Sequence, residues 1–323
     1  MPVRWGIIST ASINDKLLAG ARQADGAEIV AVASRDGDAA RRYARDNAIR
    51  RAHAGYDALL ADPDVEVVYI SLPNALHLEW TARALRAGKH VLCEKPLGRR
   101  AAAVEEAFDI AEREGRLLME AFMFRHNPQT LRLAELVAEG AVGRLRTITA
   151  WFRISVPDPA NVRLRAALDG GALMDLGCYC VSASRLLAGE PERVSAEQVI
   201  GGDGVDVSFA ATMRFAGDVL AQFDAGFQHA RGDGLEVVGD EATLWLADPW
   251  HCRTPLIERR REGAPPELIE TELVDSYRLE VENLSAAVRG EAEPLLGRDD
   301  AFGQARTIEA LYAAADGARA VAV

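Results

Sequence analysis

Several short stretches of this chain hold residue types that could do chemistry. Asp175 and Tyr179 are four positions apart, so a helix would put both on one face. A tyrosine hydroxyl has a reference pKa of about 10, and a nearby ammonium favours its ionised form, which makes it a usable proton acceptor. Leu72-Pro73-Asn74-x-x-His77 closes one apolar run, and Glu94-Lys95-Pro96 closes a later one. Taken singly, Pro73-Asn74 also reads as a turn, His77 as an early helical residue and Glu94-Lys95 as a surface charge pair. If both runs are parallel strands, the motifs stand at carboxyl ends, where an open α/β sheet binds its ligand.

The turn Gly6-Ile-Ile-Ser9-Thr10-Ala11-Ser12-Ile13-Asn14 follows the first apolar run. A dinucleotide-binding turn carries glycines so that backbone can approach a pyrophosphate at a helix N-terminus. Here Ser9, Ala11 and Asn14 hold the three glycine places. Small residues still permit close approach, and the hydroxyls of Ser9, Thr10 and Ser12 can donate to phosphate. The alternative is a plain strand–turn–helix capped by Ser12. The second run ends Ala33-Ser34-Arg35-Asp36. An acidic residue there suits a ribose 2′-hydroxyl, whereas Ser34 and Arg35 suit a 2′-phosphate. Asp36 reads as a helix cap, and Arg35 could also be a solvated surface arginine.

These residues need elements to position them. Up to about residue 122, strand-like runs at 3–9, 28–34, 65–72, 90–93 and 116–121 alternate with helical patterns at 15–24, 38–47, 58–61, 77–87 and 101–114. That alternation predicts a parallel sheet with right-handed crossovers. Beyond it, a helix over 128–139 and a long strand over 145–154 precede a helix over 171–187. Short strands separated by turns then recur at 193–199, 205–215, 219–227, 234–239, 242–247 and 266–273, followed by helices over 276–289 and 298–315. This is the pattern of a mostly antiparallel sheet. The expected domains are residues 1–122 and 123–323.

Composition narrows the field further. The 37 Lys+Arg against 49 Asp+Glu give a net charge of −12, which argues against broad binding to nucleic acid or an anionic membrane surface. Cys93, Cys178, Cys180 and Cys252 make no disulfide framework and show no zinc spacing, so no metal is expected. Residues 1–16 lack the basic and long apolar regions of a signal peptide, and no apolar run approaches the ~18 residues of a membrane span. The expected compartment is the cytoplasm.

Together, Leu72-Pro-Asn74-x-x-His77, Ala87-Gly-Lys-His-Val-Leu-x-Glu94-Lys95-Pro96 and Asp169-Gly-Gly171-Ala-Leu-Met-Asp175-Leu-Gly-Cys-Tyr179 resemble the Gfo/Idh/MocA oxidoreductases. Tyr179, Asn161-Val-Arg163 and Cys178 narrow the likeness to the subgroup with dimeric trans-dihydrodiol dehydrogenase and NADP-dependent D-xylose dehydrogenase. Asp169 departs from the family pattern by replacing the first of three glycines.

The resemblance implies an α/β fold: an N-terminal Rossmann doubly wound parallel sheet, then an α/β domain with a large, open-faced, mostly antiparallel sheet for substrate binding and dimerisation. It implies hydride transfer between a nicotinamide cofactor, NADP(H) in preference to NAD(H), and a secondary alcohol or carbonyl of a sugar or cyclic diol. Tyr179 would move the hydroxyl proton, Lys95 would lower the Tyr179 pKa, and Asp175 would hold substrate or position Lys95. Ser9, Thr10, Ala11, Ser12, Ile13, Ser34, Arg35, Leu72, Pro73, Asn74, His77, Glu94 and Lys95 would form the cofactor side. Arg163, Asp175 and Tyr179 would form the substrate side, and Trp151 and Phe152, which alternate along a strand so that only one faces each way, would wall the substrate pocket or the dimer interface. The open sheet face implies a homodimer or higher homo-oligomer. Two other functions fit the fold. One is a glycosidase that uses tightly bound NAD by transient oxidation; the other is a non-catalytic dinucleotide sensor.

Overall fold

The computed structural model describes all of residues 1–323. The chain begins β1 (Val3–Ile8), α1 (Asn14–Ala21), β2 (Ala27–Ser34), α2 (Gly37–Asp46), β3 (Arg51–Ala54), α3 (Tyr56–Leu60), β4 (Val67–Ile70), α4 (His77–Arg86), β5 (His90–Glu94), α5 (Ala101–Arg113) and β6 (Leu118–Ala121). It continues α6 (Pro128–Ala138), β7 (Leu145–Ser155), α7 (Cys178–Ala188), β8 (Pro191–Ile200), β9 (Asp206–Phe215), β10 (Leu220–Gly226), β11 (Gln228–Gly239), β12 (Thr243–Leu246), β13 (Leu256–Arg260) and β14 (Glu267–Glu270). It ends α8 (Ser276–Val288), α9 (Arg298–Gly317) and β15 (Val321–Ala322).

The chain divides into two compact units. The first comprises residues 1–98, 102–123 and 275–302. Its strands form one six-stranded sheet in the order β3-β2-β1-β4-β5-β6, parallel throughout. Strands buried on both faces need apolar residues at consecutive positions, and every residue of β4 is buried. The order reverses between β1 and β4, so the crevice of this sheet lies at their carboxyl ends, where Ser9 and Leu72 follow.

The split at 122 does not describe this unit fully, because Asp275–Phe302 belongs to it. Asp275 caps α8 by accepting from the Tyr277 N–H at 2.9 Å. The fully buried Trp5 of β1 donates its indole N–H to Ser285 Oγ in α8 at 3.1 Å. α8 lies so close to α1 that a Cβ on Gly20 would come within 2.5 Å of the Arg278 backbone nitrogen.

The second unit comprises residues 99–101, 124–274 and 303–323. Its sheet has nine strands in the order β14-β13-β12-β11-β7-β10-β9-β8-β15. All neighbours are antiparallel except β7 and β10. α7 and α9 cover one face, where Phe209 stacks on Phe223 at 6.3 Å and meets Tyr312 edge-on at 5.7 Å. The opposite face presents Trp151 against Trp245 at 5.3 Å, the Arg153–Asp224 ion pair, and Thr149, Thr212 and Gln222. No helix is long and apolar enough to cross a membrane.

Candidate active site

In the first unit the turn after β1 is built by side chains where glycines are expected. Ser9 sits at φ 113°, in the region that normally favours glycine. A local network holds it there: Asn14 Nδ2 donates to the Ser9 carbonyl at 3.0 Å, and Ser71 Oγ donates to Asn14 Oδ1 at 2.6 Å. The Ala11 N–H donates to Ser9 Oγ at 3.1 Å. α1 begins without a side-chain cap, so Ser12 does not cap it. The N–H groups of Thr10, Ser12 and Ile13 therefore stand at a helix start with no protein acceptor, the arrangement that suits a phosphate.

At the end of β2, Asp36 accepts from the Asp38 N–H at 2.8 Å and caps α2. Arg35 is exposed and joins no ion pair or hydrogen bond of the chain. No acidic side chain takes the place that would read a ribose 2′-hydroxyl, because Asp36 is committed to the helix. The residues of the turn and of Ser34-Arg35 thus fit a dinucleotide.

Two further motifs meet at the carboxyl ends of β4 and β5. His77, 1% exposed, places Nδ1 2.9 Å from the Pro96 carbonyl and Nε2 2.8 Å from the Leu72 carbonyl. The imidazole therefore joins Leu72-Pro73-Asn74 to Glu94-Lys95-Pro96. Burial lowers its pKa below the usual histidine value, while the bonds to the two carbonyls oppose that shift. Tyr69 donates its hydroxyl to Glu94 Oε1 at 2.5 Å, and Leu97 N–H donates to the buried Glu120 Oε1 at 2.7 Å. Glu280 of α8, 1% exposed, is held well above the ordinary carboxylate range, first by burial and then by Glu94. Glu280 lies far along the chain from every motif, which is why sequence reasoning passed over it.

In the second unit, Asp175 and Tyr179 do not share one regular α-helix. Leu173–Gly177 winds as a π-turn and continues into α7 at Cys178. Such π-turns inside helices recur at functional sites. Its start is anchored by Asp206, which accepts from the Leu173 N–H at 2.7 Å and from the Tyr312 hydroxyl at 2.9 Å. Burial outweighs these bonds and raises the Asp206 pKa to about 6.

Asp169 takes φ 55°, a left-handed geometry that Asp tolerates better than most side chains, and pairs with Arg99 at 2.8 Å. The missing first glycine is thereby accommodated. The other two remain necessary: a Cβ on Gly170 would come within 2.3 Å of the Arg163 carbonyl oxygen, and one on Gly171 within 2.2 Å of Asp206 Oδ1.

Arg163 Nε donates to Asp175 Oδ2 at 2.6 Å, and Asn161 holds the turn beneath it by accepting from the Arg163 N–H at 3.1 Å. Tyr179, 7% exposed, is walled by Phe124 at 5.6 Å, Phe152 at 5.5 Å and Trp250 at 6.0 Å. Strand alternation settles which aromatic of β7 does this. Phe152 faces Tyr179, and Trp151 turns to the opposite face of the sheet. Phe124 and Trp250 were not singled out in the sequence, because nothing local marks an aromatic as a wall. The four cysteines are all buried, and burial raises the Cys93 and Cys180 thiols well above their usual range.

Comparison with known proteins places the chain. Residues 3–122 match the model for the oxidoreductase family with an NAD-binding Rossmann fold, and residues 130–245 match the GFO/IDH/MocA C-terminal domain. The NADP(+)-dependent D-xylose 1-dehydrogenase 2 of Haloferax volcanii is 38% identical, covering 98% of both chains. Trans-1,2-dihydrobenzene-1,2-diol dehydrogenase of Sus scrofa is 34% identical over 80% of this chain and 78% of its own. A crystal structure of a 3-ketoreductase from Actinomadura kijaniata, in complex with NADP and TDP-benzene, superposes with a TM-score of 0.92 at 33% identity, covering 97% of this chain and 98% of that one.

Proposed function

The chain belongs to the Gfo/Idh/MocA family and is an NAD(P)-dependent dehydrogenase or reductase; from that premise we propose that it uses NADP(H) to interconvert a secondary alcohol and a carbonyl on a sugar or cyclic diol. The observation that carries this reading is the Tyr179 group: a phenol walled by three aromatic rings, with the Asp175–Arg163 pair one turn before it. The rings offer faces to the carbon skeleton of a compact ring, and the charged pair offers donors and acceptors to its hydroxyls.

Bound nicotinamide supplies the hydride donor and acceptor. The chain supplies orientation and the proton. Tyr179 takes the substrate hydroxyl proton in oxidation and returns it in reduction. Lys95 acts on the same hydroxyl, and its ammonium favours the tyrosinate form. Arg163 fixes the Asp175 carboxylate, which then accepts from a substrate hydroxyl. Ser34 and Arg35 receive the 2′-phosphate, and Thr10, Ser12 and Ile13 offer N–H groups to the pyrophosphate. His77 keeps the Asn74 and Lys95 segments in register. The helix-free face of the nine-stranded sheet, with Trp151 and Trp245 at its centre, is the surface through which two copies pair.

The test is a pair of variants assayed with NADP and a panel of pentoses, hexoses, inositols and trans-dihydrodiols. Lys95→Ala and Tyr179→Phe should each lower kcat by about 100-fold or more while NADPH still binds. Near-normal turnover in either variant removes that residue from proton transfer. Sedimentation of a monomer at micromolar concentration would remove the dimer.

A further inference from the structure

A different cluster in the second unit points to a ligand that the nicotinamide chemistry does not require. Asp233 of β11, Asp248 and His251 each direct one donor atom to a common point, and the three atoms lie within 4.8 Å of one another. His251 Nδ1 is 3.4 Å from Asp233 Oδ2 and 3.5 Å from Asp248 Oδ1. Neither contact has hydrogen-bond geometry: Asp233 Oδ2 and His251 Nδ1 are both buried without a hydrogen-bond partner. A buried carboxylate oxygen facing an imidazole nitrogen without hydrogen-bond geometry leaves two donor atoms that a shared cation would satisfy.

The spacing itself is informative. Tetrahedral coordination with bonds of about 2.0–2.1 Å places neighbouring donors ~3.3–3.4 Å apart. The two separations that include His251 are close to that value, and the third, between the carboxylates, lies within 4.8 Å. Asp248 is prepared for the role. Its side chain is 9% exposed, and Arg253 grips it through Nε and its N–H on Oδ2 and through Nη2 on Oδ1. Oδ2 thus has two donors and Oδ1 only one, which leaves Oδ1 with a free lone pair on the side facing His251. Arg253 fixes the carboxylate as outer partners of metal ligands commonly do.

We propose that Asp233 Oδ2, Asp248 Oδ1 and His251 Nδ1 bind one divalent first-row metal ion of the zinc or manganese class, leaving at least one coordination position for water. One imidazole with two carboxylates suits such ions better than calcium or magnesium, which prefer all-oxygen sites. The ion would be structural toward the aromatic wall. His251 meets Phe152 edge-on at 5.7 Å, and its neighbour Trp250 donates Nε1–H to the Trp151 carbonyl at 3.0 Å. Tying Asp233 to the 248–251 turn therefore fixes the two rings that flank Tyr179. No bond is made or broken at the metal, so the site adds rigidity and no redox step.

The experiment uses untagged full-length protein freed of metal by a chelator, titrated with Zn²⁺ or Mn²⁺ alone against a metal-sensitive dye. One saturable equivalent per chain is expected. Asp233→Asn and His251→Gln should each weaken it by about 100-fold or more, with NADPH affinity and the circular dichroism spectrum unchanged as evidence of folding. Asp248→Asn is avoided because it would also release Arg253. Absence of a saturable equivalent in the wild type, or an equivalent that survives both substitutions, overturns the proposal. Either failure leaves the oxidoreductase reading intact, since that rests on Lys95 and Tyr179.

Discussion

Replacing Arg35 with alanine isolates one interaction cleanly. The side chain is exposed and joins no ion pair or hydrogen bond, so its removal should cost the fold little. What it offers is a charge-assisted contact to a 2′-phosphate. Such contacts are worth about 1.5–3 kcal/mol. Because the guanidinium is solvated on the protein, the lower part of that range applies, about 1.5–2 kcal/mol, or ~10–30-fold in Kd. NADPH affinity should fall by that factor and NADH affinity should stay within about twofold. Quenching of tryptophan fluorescence, titrated with each nucleotide on both proteins, gives the four constants. Salt supplies a second reading: raising ionic strength from about 0.01 to 0.15 M shortens the screening length from ~30 to ~8 Å. The wild-type preference for NADPH should shrink over that range, and the preference of Arg35→Ala should not. Equal losses for the two nucleotides, or a preference insensitive to salt in the wild type, would show that Arg35 does not read the phosphate.

Other perturbations test the second unit and the thiols. Asp206 has a folded pKa of about 6 against 3.8 for the free side chain, so ionising it opposes folding. Its contribution is therefore most favourable below about pH 4 and is lost as pH rises to about 6 and above, by roughly 3 kcal/mol at most. Urea unfolding of wild type and Asp206→Asn across pH 4–8 should show this slope only in the wild type. Gly171→Ala places a Cβ within 2.2 Å of Asp206 Oδ1 at φ 131° and should cost about 2–3 kcal/mol or more, read as a lower urea midpoint at unchanged slope. Iodoacetamide should leave the native protein unlabelled and active, and should label its cysteines only in denaturant, because all four are buried; rapid labelling of Cys178 in the native protein would contradict its burial.

Much of the parallel sheet is legible in the sequence, because strands buried on both faces must be apolar at consecutive positions. β3, β13 and β15 escape that reading. Their residues, Arg-Ala-His-Ala, Leu-Ile-Glu-Arg-Arg and Val-Ala, are polar or too few to form a pattern, and neighbouring strands define them. β11 starts at Gln228, earlier than its apolar part at 234, since polar His229 and Arg231 still pair or bulge along β7. The chemistry-bearing motifs are visible because small sets of polar residues recur at strand ends. The partnerships are not. Nothing local says that His77 faces two carbonyls, that Arg163 turns to Asp175, or that Asp169 meets Arg99, because each joins positions set by tertiary packing. The π-turn at Leu173–Gly177 likewise differs from an α-helix by one residue per turn, below what periodicity over so short a stretch can register.

Because α8 belongs to the first unit, that unit has an unusual order of completion on the ribosome. Segments 1–123 emerge first, yet the strip covering Trp5 and packed against Gly20 lies about 150 residues later. At the ~5–20 residues per second of translation, this is on the order of 8–30 s during which β1 lacks its cover. The nascent nucleotide-binding half must wait for most of its companion to be synthesised, so chaperone occupancy should persist until Phe302 clears the exit tunnel. A gene truncated after residue 122 would yield an open-faced sheet prone to aggregation.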